Sequence, residues 1–254
     1  MRNAEPMVLY GSPSPNVEKV GIMLEELDVP YELRHVSVFR SEQYQPEFLA
    51  MNPIGKIPVL VDPALGHPMF ESGAILFYLA ERYGKFFPAE GAARYEVMQW
   101  LMVQMAWVGP TLGQLTHFRI VLKPGTDPYG EGRFAEVAKR VYQILDERLH
   151  THAWIAGDAY SIADMAIYPW SVYLERHGFA AEKHSALVRW RDKIKARLAV
   201  MRSNARFEEA FTTRHERLRT TSAAADLDRF FGRPSSVPAD YSAITKPVLF
   251  PGRE

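Results

Sequence analysis

Three short stretches near the start of the chain carry side chains suited to holding a small charged ligand. In Glu71-Ser72, a carboxylate and a hydroxyl precede a run whose apolar positions Ile75, Leu76, Tyr78, Leu79 and Tyr83 form one helical stripe. A helix N-terminus presents unpaired N–H groups and a partial positive charge, which suits a carboxylate. Glu71 beside it can accept an ammonium, so the pair fits both ends of one zwitterionic amino acid. Alternatively, Ser72 is only a helix cap and Glu71 only a solvated charge. In Ile57-Pro58-Val59-Leu60-Val61, a proline enters a β-rich run. It cannot donate to a ladder, so it belongs at a strand's first residues or edge and leaves its neighbours' backbone groups free. The third stretch, Gly11-Ser12-Pro13-Ser14-Pro15-Asn16, is a cluster of turn formers. Asn16 can cap the helix that follows, and both Ser14 and Asn16 also read as ordinary turn residues.

The elements around these stretches follow from periodicity. Met7 to Tyr10 reads as a buried strand, and Val17, Val20, Gly21, Leu24 and Leu27 recur at helical spacing with Glu18, Lys19, Glu25 and Glu26 on the other face. Tyr31 to Val38 forms a second strand, completing a crossover unit, and a polar segment runs from Arg40 to Pro46. Pro68-Met69-Phe70 pairs with the Val59 run, and Gly84 stops the helix that begins at Ser72. Strand signals vanish after about Ala92, which divides the chain into residues 1–87, an all-helical unit at 92–211 and an irregular tail at 212–254. Met98 to Val108 is apolar nearly all round, as for a helix in a core, at a subunit interface or beneath a pocket. Trp100, Met102, Trp107 and Phe118 read mostly as core or interface. Lys123 to Gly132 reads as a loop, with helices over Arg133 to Leu149, Ile162 to Arg176 and Ala186 to Ala196. Ser161-Ile162-Ala163-Asp164 has capping-box spacing, so Asp164 is structural. In the tail, Leu227, Phe230, Phe231, Tyr241, Val248 and Phe250 are apolar anchors for wrapping over the body.

Composition narrows the chemistry. None of the 254 residues is cysteine, which excludes disulfide frameworks, thiolate metal centres and any nucleophile made of the protein's own sulfur. The 30 basic side chains balance 30 acidic ones, so no whole-molecule field favours nucleic acid or an anionic membrane. No apolar run approaches the roughly 20 residues of a membrane-spanning helix, and the start lacks the apolar core of a secretion signal. The expectation is a soluble, cytoplasmic protein. The eight histidines show no metal-ligand spacing, so no metal is expected.

Several of these segments resemble the soluble glutathione transferases. Glu71-Ser72-Gly73-Ala74-Ile75 is similar to the family's E-S-x-A-I segment, Asn52-Pro53-Ile54-Gly55-Lys56-Ile57-Pro58 to its N-P-x-G-K-x-P loop, and the Ser161–Asp164 box to its S-x-A-D box. Ser14-Pro15-Asn16 resembles the T-P-N signature of the bacterial nu class, with Ser in place of Thr. The hydroxyl is kept, but the methyl that restricts its rotamer is lost. Gln99-Trp100-Leu101, Gly109-Pro110, Gly113-Gln114 and His117-Phe118 extend the likeness, which covers roughly residues 7 to 210.

The resemblance implies an α/β thioredoxin-like N-terminal domain (βαβ-ββα) followed by an all-α helical domain, assembled as a homodimer. It implies glutathione as cofactor, as one or two molecules per subunit or as glutathione disulfide. The γ-glutamyl end would lie at Glu71 and Ser72, and the cysteinyl unit at the backbone of Ile57 beside a cis Pro58. Lys56 and Gln43 would hold the glycyl carboxylate, and the sulfur would lie at Ser14 and Asn16. Arg133 would meet a second glutathione by analogy, or else make only a surface ion pair; Lys56 could likewise be a solvated charge. Lowering a thiol from about 8.5 to about 6.5 requires roughly 2.7 kcal/mol of thiolate stabilisation. Hydrogen bonds to a charged group contribute about 1.5–3 kcal/mol each, so a hydroxyl, an amide and a helix N-terminus suffice. The implied activity is glutathione-dependent reduction of disulfides or peroxides. The alternatives are glutathione conjugation or cleavage of an electrophile such as an aryl ether or halide, and a non-catalytic glutathione-binding protein.

Overall fold

The computed structural model describes residues 5–234, 236 and 241, and for residues 212–220 the helical backbone alone. Short apolar runs build a four-stranded sheet in the order β2-β1-β3-β4 from β1 (Met7–Gly11), β2 (Tyr31–His35), β3 (Val59–Val61) and β4 (Pro68–Phe70). β1 is parallel to β2, joined to it through α1 (Pro15–Glu26); β3 is antiparallel to β1 and β4. The register sets Tyr10 opposite Val59 and Val59 opposite Phe70. The end of β1, the start of β3 and the end of β4 therefore emerge at one edge. The segments carrying Ser14, Pro58 and Ser72 leave the sheet side by side.

β2 stops at His35, short of the expected Val38, because the chain tightens there: the Ser37 N–H donates to the Glu42 carboxylate at 2.6 Å. Two short turns, Val38–Arg40 and Glu42–Tyr44, and α2 (Pro46–Leu49) follow. Val36, Val38, Phe39 and Phe48 form a small second core with Val59.

The polar face expected of α1 is not solvated. Every residue from Val17 to Glu25 is buried, because α3 (Ser72–Tyr83), α7 (Ile162–Ser171) and α9 (Leu198–Thr221) pack around this helix. Arg202 and Arg206 of α9 bind Glu25, and Arg197 binds Glu26, tying the helical unit to the sheet.

The helical unit opens with α4 (Gly91–Val103), which continues through a wide π turn at Gln104–Val108 into α5 (Gly109–Thr116) and a second π turn at His117–Val121. The run from Met98 to Val108 is two-faced: Leu101 and Val108 are buried, whereas Met102 is 51% exposed. α6 (Pro128–Thr151) begins inside the stretch read as a loop, because the Asp127 carboxylate caps the Gly130 N–H at 2.8 Å and Pro128 suits a first helical turn. α7 carries the capping box and ends at Ser171 rather than Arg176. α8 is Ser185–Lys195. The chain after Thr212 is not irregular, as the lack of an apolar face implied: α9 runs to Thr221, and α10 (Ala224–Phe231) follows. Leu227, Phe230, Phe231 and Tyr241 pack on the second core. Val248 and Phe250 lie outside the described residues.

Candidate functional site

Two helix N-termini face the sheet edge and differ in how they are closed. At α1 the cap is Ser14, not Asn16: Ser14 Oγ accepts from the Asn16 backbone N–H at 3.2 Å, and the Ser14 carbonyl accepts from Val17 and Glu18. Pro15 supplies no N–H, so the helix end needs nothing more. The Ser14 hydroxyl hydrogen is left to donate. The Asn16 side chain is oriented by Trp170 of α7, whose indole N–H donates to Asn16 Oδ1 at 3.4 Å. The Asn16 Nδ2 donors thus remain for a ligand. α7 itself is fixed by Asp164, which accepts from the backbone N–H groups of Ile155 and Ser161, the Ser161 hydroxyl and the Trp190 indole.

At α3, Ser72 is the first helical residue and Glu71 stands at the cap, with φ 69° and ψ 109°. A non-glycine residue in that region carries strain of order 1–3 kcal/mol, a pattern common where a side chain must be held for a ligand. The Glu71 side chain makes no capping bond, so no side-chain oxygen closes this helix end. Gly73 admits the close approach of Met105, whose Cγ would lie 2.9 Å from an added Cβ. Between these N-termini the Ile57–Pro58 bond is cis, and Ile57 lies before the ladder, which begins at Val59. Asn52 shapes the preceding loop by donating to the Lys56 carbonyl at 2.7 Å and accepting from Ile54 N–H at 3.0 Å. Gly55, at φ +66°, makes the left-handed turn that this requires.

Ser14, Asn16 and Lys56 line one cavity of about 540 Å³. Its far wall is aromatic: His117, Phe118, Trp170, Tyr173, and Phe230 and Phe231 of α10. His117 packs against Phe231 at 5.2 Å, and burial pushes its pKa below the usual imidazole value. The Ser41 hydroxyl donates to Asp226 at 2.7 Å, and Phe39 packs edge-on to Phe230, so the tail helix is docked on the sheet domain. Ser72 is buried against Lys19 and Met105 and does not line this cavity, and Glu71 is exposed on the α3–α4 side, lining a separate groove with Met69, Phe77, Met102 and Met105. Gln43 and Arg133 line neither space. Gln43 is buried and donates to the Val38 carbonyl at 3.1 Å; Arg133 is exposed on α6.

Lys19 and Glu18, placed by periodicity on the face of α1 opposite its apolar stripe, are both buried. Lys19 Nζ lies 3.3 Å from Ser72 Oγ and 2.6 Å from Gln104 Oε1, and burial pulls its pKa down to about 7 against the attraction of Glu71. Neither Glu18 carboxylate oxygen has a hydrogen-bond partner among the described residues, and burial raises its pKa well above the carboxylate range. The missed signal was Ile22 and Met23, apolar residues on the supposed outer face. A helix with apolar residues on every side has no face to give to water. The aromatic wall was missed because α10 meets it only in the fold.

A thioredoxin-like sheet domain with a cis-proline edge, followed by an all-helical domain, is the architecture of the glutathione transferases. Residues 5–81 match the model of the glutathione S-transferase N-terminal domain, and residues 133–197 that of the C-terminal domain. The chain is 40% identical over 196 residues to the disulfide-bond oxidoreductase YfcG of Escherichia coli, covering 75% of this chain and 91% of that protein. It is 40% identical, with a TM-score of 0.73, to a glutathione transferase family member from Pseudomonas fluorescens solved with two glutathiones bound, covering 80% of this chain and 94% of that one. A glutathione transferase from Pseudomonas putida, solved with one glutathione disulfide per subunit, has 37% identity and a TM-score of 0.73 over 80% of this chain and 92% of its own. This chain belongs to the glutathione S-transferase family.

Proposed function

We propose that this protein is a glutathione-dependent oxidoreductase of the transferase family, binding the tripeptide across the sheet edge and using its thiolate to reduce disulfides or peroxides. The observation that carries this reading is the register Tyr10–Val59–Phe70. Neighbouring strands stand roughly 4.8 Å apart, so the edge from α3 to α1 spans roughly 10 Å across three strands. An extended tripeptide covers roughly the same length at about 3.3 Å per residue.

Each end of that span offers complementary chemistry. Glu71 takes the γ-glutamyl ammonium, and Ser72 with the uncapped N-terminus of α3 takes its carboxylate. Ile57 pairs its backbone with the cysteinyl unit as an added strand would. Lys56 holds the glycyl carboxylate, with Gln43 shaping the loop behind it. Ser14 and Asn16, their acceptor atoms already engaged, turn donors toward the sulfur. The bound tripeptide supplies a thiolate for exchange with a disulfide, two molecules providing the two electrons. Arg133, exposed on α6, serves a second glutathione.

The test is reduction of 2-hydroxyethyl disulfide by glutathione with purified protein. Turnover is expected, and Asn16→Ala or Ser14→Ala should lower kcat more than glutathione affinity. Undiminished binding without turnover on disulfides, peroxides or aryl halides would instead indicate a binding protein. The aromatic wall of Phe118, Trp170, Tyr173, Phe230 and Phe231 favours one second reading, attack of the same thiolate on a planar aromatic electrophile.

The assembly is a homodimer through α3 and α4, where Tyr95 is 63% exposed and the apolar groove of Met69, Phe77 and Met102 opens. Sedimentation should give twice the chain mass of 29.0 kDa. Among the described residues, no helix is long and apolar enough to cross a membrane. The protein works in the cytoplasm, where the glutathione pool is kept reduced.

A further inference from the structure

Helix α1 carries an amine into the seam between the two domains. Lys19 is fully buried, and its Nζ meets Gln104 Oε1 at 2.6 Å, Ser72 Oγ at 3.3 Å and Met105 Sδ at 3.8 Å. None of these partners is an anion. On the α3 side the groups facing it are Ser72 and the exposed Glu71, and on the π turn they are Gln104 and Met105. Glu18, next on α1, acts instead on Tyr168 and Tyr173, and burial favours its neutral form. Glu25 and Glu26 are held by Arg202, Arg206 and Arg197 of α9. The amine therefore has hydrogen-bond acceptors but no buried counter-ion, which is why burial outweighs Glu71 and leaves its pKa near 7.

Its bond to Ser72 sets how that residue meets a ligand. Ser72 Oγ accepts from Lys19, so the hydroxyl hydrogen is left to point at Met105 Sδ, 3.8 Å away. A thioether sulfur is a weak acceptor, readily exchanged for a carboxylate oxygen. A carboxylate arriving at the N-terminus of α3 would take that hydrogen and bring to Lys19 the negative charge it lacks.

We propose that Lys19 is a positioning residue for the γ-glutamyl carboxylate of glutathione, acting through Ser72, and that capture of this carboxylate draws a proton onto Lys19. The proposal rests on the reading of Glu71 and Ser72 as the clamp for that end of the tripeptide. Because Gln104 and Met105 belong to the helical domain, the same event tightens the contact between the domains around the ligand.

The consequence is a proton taken up on binding, with a defined pH profile. A group titrating near 7 is only about one-tenth protonated at pH 8 and about nine-tenths protonated at pH 6, so filling it takes up about 0.9 and about 0.1 proton respectively. S-methylglutathione is the probe, since it has no thiol proton to release. Calorimetric titration at pH 8 in two buffers of different ionisation enthalpy should show uptake near one proton per site, falling toward zero at pH 6. In Lys19→Met, which keeps the apolar stem, the uptake at pH 8 should be lost and Kd at pH 7 should rise about tenfold. The ligand's own amine contributes equally to both proteins, so the difference reads Lys19. Binding without proton uptake at pH 8, or equal uptake in both proteins, would overturn the proposal while leaving the clamp intact. Should Lys19→Met not fold, Lys19→Arg, whose guanidinium stays charged at both pH values, takes its place as the reference, and its uptake at pH 8 should likewise fall below that of the wild type. Failure of S-methylglutathione to bind at any pH would remove the clamp reading itself, and the proposal with it.

Discussion

Replacing Ser14 by alanine removes two interactions that can be measured separately. The first is the cap on α1, the 3.2 Å bond from the Asn16 N–H, whose loss should cost about 1 kcal/mol of stability. The second is the hydroxyl hydrogen, which this cap leaves free to donate to a bound thiolate. A hydrogen bond to a charged group contributes about 1.5–3 kcal/mol, so at about 1.4 kcal/mol per pH unit its loss should raise the bound thiol's pKa by about 1 to 2 units. Starting near 6.5, a rise to about 8 would reduce the thiolate at pH 7 from about three-quarters to about one-tenth of the bound thiol. The assay is the ultraviolet absorbance of bound thiolate titrated against pH, with thermal unfolding of the same samples. Ser14→Thr should preserve both quantities. A Ser14→Ala protein that melts earlier but keeps the same thiol pKa would reduce Ser14 to a cap and refute its part in the chemistry.

Three further outcomes follow from the same geometry. Asp164→Ala leaves the N–H groups of Ile155, Ser161 and Trp190 buried without an acceptor and should cost about 3 kcal/mol or more in urea unfolding; a loss below about 1 kcal/mol would contradict the box's role. Glu18 has its pKa raised by burial, so the native state holds a proton that the unfolded chain releases above about pH 4.5. Stability from this group is thus present below about pH 4.5 and lost as pH rises, by up to about 1.4 kcal/mol per unit, until the native pKa is passed. Glu18→Gln should abolish that component, and parallel stability curves for the two proteins would disprove it. Ending the chain at Thr221 removes Phe230 and Phe231 from the cavity wall and should change the preference among second substrates by about 1–3 kcal/mol, the discrimination that one or two apolar side chains supply; glutathione affinity should stay within about twofold, since no residue of α10 is among the proposed partners of the tripeptide, and loss of glutathione binding itself would contradict that division of the cavity.

What could be read before folding was set by local rules. The turn cluster at Gly11–Asn16, the proline at the head of β3, the Glu71-Ser72 head of α3 and the Ser161–Asp164 box are contiguous in sequence, and each stands where its backbone chemistry requires. The misreadings at Lys19 and α10 share a physical cause, packing between elements far apart in the chain. Lys19 falls on the polar face of α1 by periodicity, and α3 and the π turn at Gln104–Val108 close over it. The assignment of the cap to Asn16 failed for a local reason: with Pro15 in the first helical position, Ser14 is the residue before the helix, and its hydroxyl accepts from the backbone N–H of Asn16 itself. α10 has no partner within its own stretch; its apolar residues find one in Val38, Phe39 and Phe48, nearly two hundred positions away.

A crystal soaked with glutathione tests the central claim most directly. The tripeptide should lie across the edge defined by Phe70, Val59 and Tyr10, its γ-glutamyl end at Ser72 and its sulfur within hydrogen-bonding distance of Ser14 Oγ or Asn16 Nδ2. An empty edge at saturating ligand, or a sulfur placed away from both side chains, would contradict the account.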